Sequence, residues 1–331
     1  MNMTLSEPIR LLLYLVVILT FVGFNAAYLV WVERKAAGWF QRRPGPMEVG
    51  WQGLLQPVAD GIKLISKQLI VPPGTDKLLF RLAPVMVMAP ATMCLATVPF
   101  NESLGARNIN LGLVMVFAFG AINVMALMLG GWASRNKYAI ISAARVVSQD
   151  VAYEIPMFLV VITMLMITGT MNLHEIVRQQ IGGFWHWNIF KVWVNPLMPF
   201  TFLIFFTCML AETNRAPFDM AEAESELIAG ALTEYAGFSW GLFYMAEYAN
   251  IIVGCSVAAV LFLGGWDSPV GVWPGLFWFL VKLYALIFIV VWVRWTFPRT
   301  QFYSLLNLSW KILIPVSLAT LVLTSVMMKL F

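Results

Sequence analysis

Four ionisable residues lie in stretches of sequence that are otherwise apolar. Asp150 and Glu154 begin one such stretch, Glu247 lies midway in a run of 27 residues (238–264), and Lys282 lies in another. A charged side chain at the centre of a bilayer costs at least about 2.5 kcal/mol and usually marks an ion or substrate path. Acids and a base that recur in three apolar stretches therefore predict a path for protons.

The spacing of Asp150 and Glu154 gives a more specific reason. Residues four apart lie on one face of a helix, so the two carboxylates are neighbours. Two carboxylates in a medium of low dielectric resist being ionised together, and we expect one of them to hold a proton. A second interpretation stays open for Glu247 and Lys282, which could form a static buried ion pair.

Residues 211–235, here called the acidic segment, hold six of the 17 acidic residues and one opposing base, Arg215. The acids are Glu212, Asp219, Glu222, Glu224, Glu226 and Glu234. A run of charge is usually a solvated surface. Here the acids are interleaved with apolar residues such as Pro217 and Phe218, as in packed sequence. This favours a functional acidic surface, although the solvated surface stays open as the alternative.

A basic and aromatic segment precedes a short amphipathic stretch. Arg34, Trp39 and Phe40 come first, and Asp60 and Lys63 follow. Aromatic and basic residues are ordinary anchors at a membrane interface. Together with the amphipathic stretch they also suit a mouth through which a lipid-soluble molecule passes sideways from the bilayer.

The composition of the chain shows that these charged and aromatic residues belong to a protein embedded in a bilayer. The chain has 331 residues, of which 60% are apolar and 11% charged, against about 25% charged residues in soluble domains. Its mean hydropathy is +0.80. One soluble core could not hide this much apolar surface. The composition excludes a cytosolic enzyme, a nucleic-acid binder and a secreted disulfide scaffold.

We therefore predict an all-α polytopic membrane protein, with residues 1–331 forming a single membrane domain. A membrane-spanning helix needs about 20 apolar residues, and eight stretches qualify. The predicted spans are 11–32, 82–100, 111–132, 151–171, 196–210, 238–264, 273–293 and 312–328.

One amphipathic helix is predicted outside the spans, at residues 57–69. Pro57 suits the first turn of a helix, and apolar residues then recur at helical spacing. They are Val58, Ile62, Ile65 and Leu69. This pattern is typical of a helix lying in the membrane interface; a helix packed on other protein is the alternative.

The distribution of lysine and arginine predicts the orientation. Of the 21 bases, 15 fall in the segments after the first, third, fifth and seventh spans, five fall on the other side, and Lys282 lies within a span. The side rich in bases is cytoplasmic. Both termini are then outside, which agrees with an even number of spans.

No redox cofactor or metal is expected on this chain. Cys94, Cys208 and Cys255 lie apart in apolar runs, whereas zinc or iron–sulfur sites need clustered thiolates. His174 and His186 lie in one loop, so they cannot ligate haem from two facing helices. No nucleotide-binding motif is present.

Ten motifs give the chain a strong resemblance to a known family over nearly its whole length. They are ERKAAGWFQRRPGP (33–46), GLLQPVADGIKL (53–64), GWASRNKY (131–138), YEIP (153–156), AETNRAPFD (211–219), EAESELIAG (222–230), TEY (233–235), AEYAN (246–250), RWTFPR (294–299) and SWKILIP (309–315). The chain resembles the H subunits of the proton-pumping NADH–quinone oxidoreductases, respiratory complex I, which are equivalent to mitochondrial core subunit 1.

The resemblance implies an enzyme subunit with eight membrane helices in the bacterial cytoplasmic (inner) membrane. With the quinone-site subunits of the peripheral arm it would form the quinone chamber, and it would link quinone reduction to proton translocation. Its other partners would be the small and antiporter-like membrane subunits and membrane lipid. Quinone would be the substrate, and FMN and iron–sulfur clusters would lie in partner subunits.

The resemblance also implies roles for individual residues. Arg34, Trp39, Phe40, Asp60 and Lys63 match the chamber wall and entrance. Glu212, Arg215, Asp219, Glu222, Glu224, Glu226 and Glu234 match the loop that couples the chamber to the channels. Glu154 and Glu247 match the acids of the proton path, to which we add Asp150 and Lys282 from their position in the spans.

Two alternatives remain. Tyr303-Ser304 stands where the family commonly has Asp-Gln, in a loop expected to face the peripheral arm. The donor could therefore differ, as in the hydrogenase-, formate- or ferredoxin-linked relatives of complex I. A stand-alone ion-coupled transporter is a more distant alternative, because the repeated halves and broken helix pairs of such proteins are not visible here.

Overall fold

The computed structural model describes residues 7–102, 104–105, 107–191, 196–220, 230–271, 273 and 275–330. All regular structure within these ranges is helical. Seven helices are long and apolar enough to cross a membrane, and an eighth apolar helix of 15 residues is shorter. The prediction of an all-α polytopic protein is confirmed.

Eleven α-helices in chain order make up the described fold. They are α1 (Glu7–Phe40), α2 (Gln56–Ser66), α3 (Lys77–Thr97), α4 (Gly112–Ala133), α5 (Lys137–Thr168), α6 (Leu173–Arg178), α7 (Met198–Glu212), α8 (Gly237–Phe262), α9 (Leu276–Thr296), α10 (Phe302–Leu308) and α11 (Ile314–Leu330). A π-helical turn, Ser309–Leu313, joins α10 to α11, so that one apolar stretch runs from Phe302 to Leu330.

Two helices extend well beyond their predicted spans. α1 continues past residue 32 to Phe40, and α5 begins at Lys137, ahead of the predicted span at 151–171. Asn136 caps α5 through its side chain, which accepts from the backbone N–H of Tyr138. Both extensions are rich in Ala, Arg and Lys, which favour helix outside a membrane as well as inside it.

Helix α8 lies at the centre of the bundle. Most of its residues are buried, and it packs against α1, α2, α3, α6, α7 and α9. Helices α4, α7 and α11 pack around α5. The outer helices expose large apolar side chains, as on α1, where Leu12 is 63% exposed. Such faces suit contact with lipid rather than water.

Helix α2 lies across the ends of α1 and α8. Leu64 packs over Gly241 of α8, where a Cβ would lie 3.2 Å from the Leu64 side chain. On the other face, Val58, Ile62 and Ile65 are at least half exposed. This chain therefore leaves the apolar stripe of α2 uncovered, as the interfacial interpretation requires.

The interfacial position of α2 predicts a difference between two adjacent residues. A fluorophore on Ile65→Cys should be quenched by nitroxide-labelled acyl chains, whereas one on Ser66→Cys should not, because the two positions point about 100° apart on the helix. The three native cysteines are buried, which limits background labelling. Equal quenching at both positions would show that α2 does not lie in the interface.

Candidate functional site

A network of buried charges joins three membrane helices to the loop after α7. We call it the charge cluster: Glu33 on α1, Arg215 in the loop, Glu247 and Tyr248 on α8, and Arg294 on α9. Arg215 lies 3.5 Å from Glu33 Oε2 and 3.2 Å from Glu247 Oε2. Arg294 forms an ion pair with the other oxygen of Glu33.

Arg215 is the centre of this cluster and is only 4% exposed. Its guanidinium also lies 4.3 Å from the centre of the Tyr248 ring. Burial lowers the pKa of Arg215, but the facing Tyr248, Glu247 and Glu33 raise it more, so the pKa lies well above its ordinary value. Arg215 therefore stays charged, and its acids neutralise it.

A second group, the acid cluster, consists of Asp150 and Glu154 on α5 and Glu212 at the end of α7. Both other carboxylates are close enough to act electrostatically on Asp150. Asp150 is buried, and its Oδ1 has no hydrogen-bond partner among the described residues. The two predicted acids of α5 are thus brought together with one acid of the acidic segment.

Glu212 opens onto a small cavity between α3, α4, α5, α7 and α8. The cavity measures about 50 Å³, and Asn123 and Asn250 also line it. Gly120 makes room for the carboxylate, since a Cβ there would lie 3.2 Å from Glu212 Oε1. Most of the wall is apolar, and Asn123, Glu212, Thr213 and Asn250 supply the polar groups that a water molecule in this space would need.

Two short stretches of chain connect the two clusters. Glu212 and Arg215 are three residues apart, and the first belongs to the acid cluster while the second is the centre of the charge cluster. On α8, Glu247 contacts Arg215, and Asn250, three residues on, lines the cavity of Glu212. The two clusters are therefore joined by the chain itself, through the turn after α7 and through one turn of α8.

A larger cavity of about 330 Å³ lies between α1, α2 and α8. Its walls are mostly apolar, and Ala27, Val30, Leu64 and Tyr248 are among them. A second cavity of about 400 Å³ lies beside it and is lined by Glu33 and Arg294 of the charge cluster. Val30, Arg34, Tyr244 and Tyr248 line both cavities. An apolar space under α2 thus adjoins a polar space at the charge cluster.

Three of the predicted entrance residues meet at this boundary. Asp60 on α2 accepts from Arg34 on α1 at 2.8 Å and from Lys63 at 3.3 Å. Burial raises the pKa of Asp60, but Arg34, Gln56 and Lys63 lower it more, and the net pKa lies below its ordinary value. The Arg34–Asp60 pair ties α2 to α1 above the first cavity.

The other two predicted entrance residues lie elsewhere. Trp39 is 76% exposed and Phe40 is 44% exposed, in the last turn of α1. Neither lines the two cavities. Both lie on the outward face of α1, which continues as a helix to Phe40. The structure leaves them as a surface that a partner or lipid can cover.

The structure does not gather all the acids of the acidic segment at one place. Asp219 lies near Arg299, which donates to its backbone carbonyl. Glu234 accepts from Asn136 at 2.7 Å, beside Tyr235 stacked on Phe80. Glu222, Glu224 and Glu226 lie outside the described residues.

Lys282 does not contact Glu247, so the static ion pair that the sequence left open as an alternative does not form. Its Nζ donates to the backbone carbonyls of Leu263, Gly265 and Asp267 at 2.5, 3.0 and 2.6 Å. These carbonyls follow the end of α8, about 24 Å along the helix from Glu247 at 1.5 Å per residue. Lys282 thus binds three backbone carbonyls of the turn that follows α8.

Sequence reasoning missed four members or neighbours of the charge cluster. Glu33 and Arg294 were assigned to loops at the ends of spans, and Tyr244 and Tyr248 were taken as ordinary residues of an apolar run. The signal was available, because Tyr244, Glu247 and Tyr248 recur at helical spacing. Such a polar stripe on an apolar helix indicates a buried polar surface.

Comparison with known proteins agrees with this arrangement. The family model described as NADH dehydrogenase matches residues 13–325. The H subunit of the NADH-quinone oxidoreductase of Desulfotalea psychrophila is 54% identical over 334 residues, covering 100% of this chain and 99% of the relative. The chain belongs to the NADH dehydrogenase family.

Two further relatives come from Geobacter. The NADH-quinone oxidoreductase H subunit numbered 2 in Geobacter metallireducens is 37% identical and covers 100% of this chain and 99% of its own length. The H subunit numbered 1 in Geobacter sulfurreducens is 38% identical, with 95% and 93% covered. The resemblance seen in the motifs is confirmed. The expectation that the chain is a subunit of an enzyme is confirmed at the level of the family.

The charge cluster predicts a strong and partly reversible effect of removing its central cation. Arg215→Met removes the cation that Glu33 and Glu247 both face in a buried site, and we expect a loss of about 3–5 kcal/mol. Adding Glu247→Leu should recover part of that loss, because one of the two acids that faced the cation is removed as well. The thermal midpoint and yield of the purified complex measure both effects.

The matched control is Arg178→Met. Its ion pair with Glu102 is more than half exposed on both sides, so we expect a change of no more than about 1 kcal/mol. If Arg215→Met were as mild as this control, the buried cluster would not hold the helices together.

Proposed function

We propose that this chain is the membrane subunit of a complex I that reduces quinone and translocates protons, with NADH as the donor named for its three relatives. The observation that carries the proposal is the pair of adjoining cavities, one apolar beneath α2 and one polar at the charge cluster. A lipid-soluble quinone needs an apolar space that leads to a polar one. Its tail stays in apolar surroundings while its head reaches polar groups.

In this proposal quinone enters between α1, α2 and α8. The exposed apolar stripe of α2 keeps that helix in the interface, so the cavity beneath it adjoins the bilayer. The Arg34–Asp60 pair lies at the boundary between the two cavities, where the quinone headgroup passes from one to the other. Beyond it, Glu33, Tyr248 and Arg294 form the polar end, where subunits of the peripheral arm complete the chamber.

Coupling follows from charge at this polar end. Reduction of quinone to quinol takes up two electrons and two protons, and it changes the charge in a site of low dielectric. Protonation of Glu33 or Glu247 weakens its ion pair with Arg215, and loss of the proton strengthens the pair again. Glu212 responds through the Glu212–Arg215 turn and exchanges a proton with Asp150 and Glu154. The chain supplies no electron carrier in this scheme.

The remaining assignments complete the proposal. The base-rich ends of the helices, with Arg34 and Arg294, face the cytoplasm of a bacterium, and both termini face out. FMN and iron–sulfur clusters belong to the peripheral arm. The acid cluster faces the small and antiporter-like membrane subunits. Lys282 holds the opposite end of α8 and takes no part in the relay.

The quinone path predicts the effect of filling the first cavity. Ala27 lines it, and Ala27→Trp should lower reduction of a long-tailed quinone at least tenfold, because the indole occupies the passage. Reduction of a water-soluble acceptor by the peripheral arm should be unchanged. A photoreactive quinone should label residues 27–34 or 241–248 in the wild-type complex and not in the variant.

Phe24→Trp is the control on the same helix. Phe24 is 61% exposed and does not line the cavity, so quinone reduction should stay at the wild-type rate. The proposed path is wrong if Ala27→Trp reduces long-tailed quinone normally while the photoreactive quinone labels other helices.

A further inference from the structure

The chain has a basic cavity on the side of the membrane opposite the charge cluster. We call it the distal cavity. It measures about 150 Å³ and is lined by Arg10, Glu102, Arg107, Asn108 and His174. Arg10 lies in the first turn of α1, 24 residues before Arg34, which places the two about 36 Å apart along the helix. The distal cavity is therefore separate from the proposed quinone path.

The charge in this cavity is unusual for its side of the membrane. Only five of the 21 bases fall on this side, and two of them, Arg10 and Arg107, line one space. Neither has an acidic partner among the described residues. Glu102 also lines the cavity, but Arg178 forms an ion pair with it at 3.2 Å. The two remaining guanidinium groups present fork-shaped donors that suit a phosphate.

A histidine adds a polar atom without a partner. His174 Nε2 lies 3.0 Å from the carbonyl oxygen of Glu102, so this nitrogen is the donor. His174 Nδ1 is then an acceptor, and it is buried with no hydrogen-bond partner in the described part of the chain. The ring is thus held against Glu102 and forms part of the wall of the cavity.

The surroundings indicate a lipid rather than a free anion. The distal cavity adjoins the start of α1, whose apolar residues Ile9, Leu12 and Val16 are at least half exposed. A molecule with its phosphate in the cavity would lay acyl chains along this face. Free phosphate would gain nothing from the apolar residues, whereas a phospholipid is held at both ends.

We propose that the distal cavity binds the headgroup of an anionic phospholipid, with its phosphate between Arg10 and Arg107. Its acyl chains cover the first half of α1. The assignment of this lipid to the outer leaflet rests on the proposed orientation; the binding itself does not. The lipid would fix the first helix against the loop between α3 and α4.

The test uses the assembled complex after mild removal of lipid. Phosphatidylglycerol, phosphatidylcholine and inorganic phosphate are added separately, and bound molecules are counted by native mass spectrometry. In wild type we expect one retained phosphatidylglycerol that phosphatidylcholine does not replace. The Arg10→Gln/Arg107→Gln variant should bind it at least tenfold more weakly, and Arg10→Lys/Arg107→Lys should retain most of the binding. Quinone reductase activity reports assembly independently.

Lys329→Gln is the control, since it removes a base from the same side but outside the cavity. It should bind phosphatidylglycerol like wild type. Equal retention by wild type and the double glutamine variant would overturn the proposal, as would occupation by inorganic phosphate at the same affinity. If the double variant does not assemble, each single glutamine variant should bind several-fold more weakly, and unchanged binding in both would equally overturn it.

Discussion

The burial of one guanidinium group constrains the whole charged end of this bundle. A cation removed from water must be compensated by acids at contact distance, or it costs several kcal/mol. Arg215 pairs with Glu33 on α1 and with Glu247 on α8, and Arg294 on α9 also pairs with Glu33. Two acids and two bases thus fix the relative position of three helices and one loop.

This constraint also suits the loop after α7 to the coupling that we propose between the charge cluster and the acid cluster. Arg215 cannot move far without leaving buried acids unpaired, and Glu212, three residues earlier, belongs to the acid cluster. Interactions between charges a few ångströms apart in a medium of low dielectric are worth several kcal/mol. In the proposed coupling, a proton gained or lost near Glu33 reaches Glu212 through Arg215 and the turn that joins them.

Much of the fold followed from the length of the apolar runs, which predicted eight membrane helices, and helical spacing of apolar residues predicted the amphipathic α2. The pairing of Asp150 with Glu154 followed from their spacing. The extensions of α1 and α5 did not follow, because a hydropathy pattern marks where apolar residues end and not where a helix ends. The exposed position of Trp39 and Phe40 on the last turn of α1 could not be predicted for that reason.

Lys282 shows a second limit, which concerns depth in the membrane. A position within a span does not say how deep a residue lies relative to a partner on an antiparallel helix. Lys282 is the seventh residue of α9 and lies near the end of α8, whereas Glu247 is the eleventh of the 26 residues of α8. Counting residues from the connecting loop would have separated them. The contacts of Glu33 with Arg215 join residues 182 positions apart, and no local pattern encodes such a pair.

The most direct test of this account is the infrared difference spectrum between the oxidised and reduced quinone states of the complex. We expect a carboxyl C=O band that Glu212→Gln removes and that Arg215→Lys shifts in frequency, because the lysine ammonium cannot hold Glu33 and Glu247 as the guanidinium does. The charge cluster and the acid cluster would then respond to quinone as one unit. A Glu212 band that is absent in wild type, or that Arg215→Lys leaves unchanged, would contradict the proposed coupling.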